Sequence, residues 1–218
     1  MPSNYVIMKN RILISMLLFL FAVNAQLNAA SFTKNDKIIE AAFGLGIYDI
    51  STYQKSKNIR ENDKAAAWVY PFSFEYGIAN RLAIGLGYKY SNFILGNEDS
   101  LNTNRKVKGN DLVFKPTLHL IKRKRINVYV GALAGLSWFN FQVNDNLQSY
   151  AKGDGTLLAL ILGTRFYFSK NFGLSLHYTF NNYKFVDLTL ANSLGNTDKL
   201  DLTLKRGNVG LGLVFKFN

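Results

Sequence analysis

Ala66-Ala67-Trp68-Val69-Tyr70-Pro71-Phe72-Ser73-Phe74-Glu75-Tyr76-Gly77-Ile78 is followed, after Ala79-Asn80-Arg81, by Leu82-Ala83-Ile84-Gly85-Leu86-Gly87-Tyr88-Lys89-Tyr90-Ser91. Large apolar residues occupy every second position of both runs, and small or charged residues occupy the others. Successive side chains of a strand point to opposite faces, so the first run presents Trp68, Tyr70, Phe72, Phe74, Tyr76 and Ile78 on one face, with Ser73 and Glu75 behind them. The second presents Leu82, Ile84, Leu86, Tyr88 and Tyr90 against Ala83, Gly85, Gly87, Lys89 and Ser91. Three residues between two such runs make a tight hairpin.

Eight stretches of this kind follow one another: about 38–48, 66–78, 82–91, 110–121, 126–140, 156–168, 172–181 and 207–217. The gaps between them alternate in length. Those at 78–81, 122–125 and 169–171 are short, and those at 49–65, 92–109, 142–154 and 181–200 are long. A soluble barrel or sandwich has no reason to collect its long loops at one end, whereas a transmembrane barrel has short periplasmic turns and long outer loops. Each stretch also reaches the roughly 9–11 residues that a tilted membrane strand needs. The expected fold is therefore all-β, an eight-stranded antiparallel up-and-down transmembrane barrel. Hydrocarbon cannot satisfy an open strand edge, so the sheet must close. Pro71 and Pro116 each remove a ladder donor, and a bulge is expected at each.

By strand phase the interior collects Glu40, Glu75, Lys89, Lys115, His119, Arg165, His177 and Lys216. An eight-stranded barrel is only just wide enough for its own side chains or one small ligand. Buried charges must pair or hydrate, so these residues are expected to form a polar network that fills the lumen. Many inward glycines, Gly163 and Gly210 among them, either admit large neighbours or leave a cavity. Stretch 156–168 is the least regular, because Leu157 and Ile161 fall on its inner face.

Residues 1–25 read as an export signal. Lys9 and Arg11 precede the apolar run Ile12 to Val23, and Val23-Asn24-Ala25 offers small residues for cleavage. Met8 is an alternative start. Residues 26–218 then form one barrel domain. The formal net charge of +12 loses only Lys9 and Arg11 with the signal. Basic balance often means nucleic acid, but an exported chain has no such partner. Outer-loop cations (Lys55, Lys57, Arg60, Lys64; Arg105, Lys106, Lys108) instead face outer-membrane lipids and lipopolysaccharide phosphates, with solvation as the plainer role. The cluster Lys122-Arg123-Lys124-Arg125 fills a periplasmic turn. The absence of cysteine excludes a disulfide scaffold and a thiolate metal site.

Catalytic signals are sparse. His177-Tyr178-Thr179 places a base and a hydroxyl on one strand face, with Asp187 the nearest downstream acid. That pair faces the interior, where a lipid substrate has poor access. His119 and His177 are the only histidines, and no third metal ligand accompanies them. No phosphate-cradling loop occurs, and no cofactor is expected.

Two motifs carry a family resemblance. The unit from Glu75 to Gly85 resembles the strand-turn-strand of many small outer-membrane barrels. Gly210-Leu211-Gly212-Leu213-Val214-Phe215-Lys216-Phe217 resembles the C-terminal assembly signal of outer-membrane proteins, although Asn218 follows where the family ends on the aromatic. The chain thus resembles the OmpA/OmpX-like proteins. That resemblance implies insertion by the barrel assembly machinery, with Leu213, Phe215 and Phe217 as the signal, and no single activity. The expected role is non-enzymatic, in envelope integrity or surface interaction through the outer loops. The alternatives are a narrow channel or transporter for small solutes and a lipid A-modifying enzyme. The fold-level rival is a soluble carrier with its apolar face inward. Phe185–Leu190 and Leu200–Leu204 alternate within the fourth long gap, so a hairpin extending beyond the membrane is expected there, with an edge free to pair with a protein partner.

Overall fold

The computed structural model describes residues 32–95, 104–144, 150–191 and 197–217, and within them every regular element is a strand. In chain order these are β1 (Lys37–Gln54), β2 (Ile59–Gly77), β3 (Leu82–Leu95), β4 (Asn104–Phe114), β5 (Thr117–Lys122), β6 (Ile126–Asn144), β7 (Tyr150–Tyr167), β8 (Phe172–Ala191) and β9 (Thr197–Phe217). Each pairs antiparallel with its sequence neighbours, except that β4 and β5 both pair with β3 and β6 and not with each other. β1 closes the ring by pairing with β9, from Lys37↔Phe217 to Gln54↔Leu200. The export signal lies outside the described residues.

β4 and β5 are one stave of the barrel interrupted at Pro116, so the nine strands make eight staves. The register against β6 is the same on both sides of the break, Phe114↔Ala134 and Thr117↔Gly131. Main-chain bonds continue across it: Lys115 N–H donates to Gly85 O at 2.8 Å, and Ala132 N–H donates to Pro116 O at 3.1 Å. The expected bulge at Pro116 does not form; the register shifts farther on, between His119 and Ile121. At Pro71 there is no bulge either. The β1–β2 ladder runs from Ala41↔Phe72 to Gly44↔Val69 and omits the two pairs between without slipping. Losing a pair at a proline is cheaper here than re-aiming every later side chain, which a one-residue slip would do.

The two faces settle the solvent. Leu160, Leu158 and Leu86 on the outer wall are 66, 61 and 61% exposed, while Glu75, Arg165 and His119 inside are fully buried. Water does not tolerate so broad an apolar band on a monomer, but lipid does. The soluble-carrier alternative, which requires the opposite polarity, is overturned. Aromatic collars border the band: Phe166, Phe172 and Phe215 toward the short turns, and Tyr70, Tyr88, Trp138 and Tyr178 toward the long loops.

The strands run farther outward than the sequence pattern indicates. Residues 49–65, expected as a long loop, pair from Asp49↔Lys64 to Gln54↔Ile59 and leave a turn at 55–58. Beyond the membrane both faces of a strand meet water, so the alternation that marks a strand disappears. The extension of β8 and β9 forms as expected, but its edges are occupied. Lys152↔Thr189 ties β8 to β7, and Tyr53↔Asp201 ties β9 to β1. Among the described residues this hairpin offers no free edge to a partner.

Candidate functional site

The interior is layered, beginning at the short-turn end. Ahead of β1 the chain folds back across the mouth. Thr33 donates to both carboxylate oxygens of Asp36, through its N–H at 2.7 Å and its hydroxyl at 3.0 Å. Asn35 N–H donates to Gly77 O at 2.7 Å. This close approach requires the glycine, since a Cβ there would lie 2.6 Å from Thr33 O and 2.9 Å from the Phe32 ring. Phe32 is carried into the lumen, where its ring stacks on His119 with centroids 3.6 Å apart. His119 Nδ1 is 2.8 Å from Asn127 Oδ1. Lys216 Nζ lies 3.6 Å from Asp36 Oδ2 and over the Tyr167 ring.

The next layer spans the lumen. Arg165 reaches from β7 to β1 and to β2 on the opposite wall. Its Nε and Nη2 donate to Glu40 Oε2 at 3.0 and 2.7 Å, and its Nη1 donates to Glu75 Oε2 at 3.1 Å, with a further close bond from Nη2 to Glu75 Oε1. The Tyr129 ring covers the guanidinium at 4.2 Å. It fits because residue 163 on β7 is glycine: any Cβ there would overlap the Tyr129 phenol. Lys115 Nζ is 2.8 Å from Glu75 Oε1, and Thr117 donates to Glu75 Oε2 at 3.4 Å. His177 Nδ1 lies 3.3 Å from Glu40 Oε1 without the alignment of a hydrogen bond.

A second bridge lies farther out. Lys89 Nζ is 3.2 Å from Asp111 Oδ2 and donates to Asn181 Oδ1 at 3.1 Å on the opposite wall. Asp111 also accepts from Tyr183 at 2.9 Å and Ser137 at 2.5 Å. Between the two bridges is a void of about 40 Å³, edged by Ser73, His177 and Thr179, with room for little more than water. The buried charges balance among the described residues: Arg165, Lys89, Lys115 and Lys216 against Glu40, Glu75, Asp111 and Asp36.

Above the polar layers the lumen turns apolar. Tyr48, Phe93, Leu133, Leu157, Phe185 and Leu204 pack together, and beyond them a cavity of about 210 Å³ is lined by Ile50, Phe93, Val107, Phe139, Phe141 and Leu200. Glu61 and Asp63 stand at its rim.

All eight interior residues picked from the sequence face the lumen. Glu40, Glu75, Lys115, Arg165 and His177 meet in one cluster. Lys89 belongs to the outer bridge, and His119 and Lys216 sit with the N-terminal segment. Sequence reasoning missed Asp111, Asp36, Tyr183 and Phe32 as members. Asp111 was visible on the inner face of its strand, but Phe32 and Asp36 precede β1 and no strand phase reaches them. The apolar cup had a signal in the inward Leu157 and Ile161. Leu213, Phe215 and Phe217 all lie on the lipid-facing wall of β9.

Asp187 is not the acid of the expected base-hydroxyl pair. His177 and Thr179 are enclosed, and the carboxylate nearest His177 is Glu40. Asp187 instead pairs with Lys55 at 2.5 Å at the outer end. No cluster of metal-ligating side chains occurs among the described residues.

No protein-family model matches the chain, and no curated relative matches it. Among solved structures it is similar to the outer-membrane protein OprG from Pseudomonas aeruginosa, with a TM-score of 0.58 and 13% identity over 86% of this chain and 98% of that one. It is also similar to the outer-membrane protein AlkL, with a TM-score of 0.57 and 16% identity over 87% and 93%. A third likeness is to the outer-membrane protease OmpT from Escherichia coli, with a TM-score of 0.53 and 9% identity over 86% and 98%. At such identities the likeness is one of fold: the chain has the small β-barrel fold of bacterial outer-membrane proteins. That fold carries a protease among its members, so it does not by itself decide the presence of catalysis.

Proposed function

We propose that this chain is an integral outer-membrane protein whose barrel is closed to solutes and which acts without catalysis, through its outer surface, in envelope integrity or surface contact. The observation that carries it is the Arg165–Glu40–Glu75–Lys115 cluster, which joins opposite walls across the lumen, with the Phe32 segment beneath it. In this reading residues 1–25 are removed on export, residues 26–218 form the single barrel domain, and the barrel assembly machinery reads Leu213, Phe215 and Phe217. Lipopolysaccharide and outer-membrane lipids surround the wall. Detergent-folded protein that shifts in mobility on boiling but leaves a planar bilayer silent supports the reading. Steady openings would move transport to first place.

One observation favours a second reading, capture of a small apolar solute from outside. The outer cavity is apolar and larger than the roughly 150 Å³ that accommodates benzene in a protein interior, and the polar layers form its floor. Fluorobenzene should raise the unfolding temperature of the wild type and not that of Leu202→Trp, which fills the cup. Equal shifts in both would remove this reading.

A further inference from the structure

The outer wall carries a second feature that the closed lumen does not use. Where β2, β1, β9 and β8 leave the apolar band, register places outward-facing residues in two rows. One row reads Lys64, Asp49, Lys205 and Asn182 across the four strands. The row above it reads Asn62, Ser51, Thr203 and Lys184. A groove of about 670 Å³ runs along them, lined by Ser51, Asn62, Lys64, Thr203 and Lys205 together with Asp49, Asp63 and Ile50. Ile47, Val209 and Phe180 lie immediately below, at the upper edge of the lipid-facing band.

Two details set this patch apart from ordinary solvated lysines. Lys64, Lys184 and Lys205 have no carboxylate within ion-pair distance among the described residues, although Asp49 stands in their midst. Asp49 is instead taken by Arg206, whose Nε lies 2.7 Å from Asp49 Oδ2. Arg206 reaches it through an unusual backbone. Its neighbours of like phase, Leu204 and Asn208, are buried inside, and alternation would send Arg206 inward with them. A φ of 102° turns it out to the surface. A left-handed conformation at a residue other than glycine costs on the order of 1–3 kcal/mol, and nothing in barrel closure requires it. Its consequence is to neutralise Asp49, so that against Asp63, whose carboxylate accepts the Lys64 N–H, the three lysines leave the groove net-positive, bordered by hydroxyl and amide groups.

We propose that this groove binds a phosphate of an outer-leaflet glycolipid headgroup. Lys64 and Lys205 flank the anion from β2 and β9, Lys184 approaches from β8, and Ser51 and Thr203 donate hydroxyl hydrogen bonds from the floor. The acyl chains lie down the wall over Val209 and Phe180. Depth selects the ligand source: the charged rows begin where the apolar wall ends, which is where a lipid carries its phosphate. The inference rests on the outer-membrane reading above.

The test uses full-length, heat-modifiable protein in detergent, with native mass spectrometry reading retention of bisphosphorylated lipid A, of the same lipid with its phosphates removed, and of inorganic phosphate. The wild type should retain the phosphorylated lipid and release the dephosphorylated one. Lys64→Ala with Lys205→Ala should weaken retention by roughly thirtyfold, as expected for two interfacial lysines. Arg123→Ala with Lys124→Ala, at the opposite end, should leave it unchanged. Equal retention of both lipids, or an unaffected Lys64/Lys205 variant, would overturn the site while the barrel stands. Saturable binding of inorganic phosphate that displaces the lipid would make it a free-anion site and overturn the lipid assignment. Protein with no mobility shift on boiling would instead overturn the barrel reading beneath it.

Discussion

Phe32 lies flat against His119, with ring planes 16° from parallel, although one residue precedes the first strand and the other lines the fourth stave. The contact turns the chain ahead of β1 into a stopper for the short-turn mouth. Removing a buried Phe ring costs about 3–5 kcal/mol in a site that cannot collapse. Phe32→Ala should therefore lower the urea midpoint at which the boiled and unboiled gel bands merge, and Phe32→Leu should lower it by less than half as much. An unchanged midpoint in Phe32→Ala would show that the ring does not occupy the lumen.

The Arg165 cluster should behave as a unit. Breaking a buried ion pair from one side costs about 3–5 kcal/mol because the partner charge stays buried, whereas replacing the whole set is far cheaper. Arg165→Met should be strongly destabilising, and Arg165→Met combined with Glu40→Gln, which leaves Glu75 paired with Lys115, should recover much of the loss. Additive losses in chemical unfolding would contradict the interlocked arrangement.

Gly163 should tolerate no side chain while Tyr129 is present, since a Cβ there overlaps the Tyr129 phenol. Overpacking of this kind costs about 1–3 kcal/mol. Gly163→Ala should reduce stability, and Tyr129→Leu in the same chain should relieve part of the defect. A double variant weaker than the sum of the two singles would argue against the contact.

The outer extension carries an acid-sensitive contact. The hydrogen bond from Lys55 holds the Asp187 carboxyl below its ordinary 3.8, and Lys55 is raised above its ordinary 10.5 chiefly by the same bond. A lowered carboxylate stabilises the folded form above its ordinary value and ceases to as pH falls through the lowered one. The tie between the 55–58 turn and the β8–β9 hairpin is thus intact at neutral pH and released below about pH 3.8. An NMR titration should place the Asp187 midpoint below that value in the wild type and return it there in Lys55→Met. Coincident midpoints would deny the pair.

Much of the wall was legible in the sequence, because strand period reports directly which face a side chain takes. Most of the apolar outward residues from Phe43 to Phe215 followed from alternation, Ile121 past the register shift being an exception, and so did the inward set around Arg165. Height along the barrel was not legible. Phase says that Lys89 and Glu75 both point inward, but only the register across staves shows that Lys89 meets Asp111 while Glu75 meets Arg165. The same register brings Leu157 beside Phe185 to begin the apolar cup. Outside the membrane the code thins: the β8–β9 extension still alternates, but Ser51 and Asn62 are paired strand residues with no alternation to mark them. Phe32 and Asp36 lie beyond any strand, and their burial is set by the width of the mouth they close.

The central claim is that the polar layers close the lumen, and single-channel recording of the heat-modifiable wild-type protein in planar bilayers tests it most directly. The account predicts a silent membrane at all applied voltages, with openings only in a chain that lacks both Phe32 and the Arg165 side chain. Steady, reproducible openings of the wild type would contradict it.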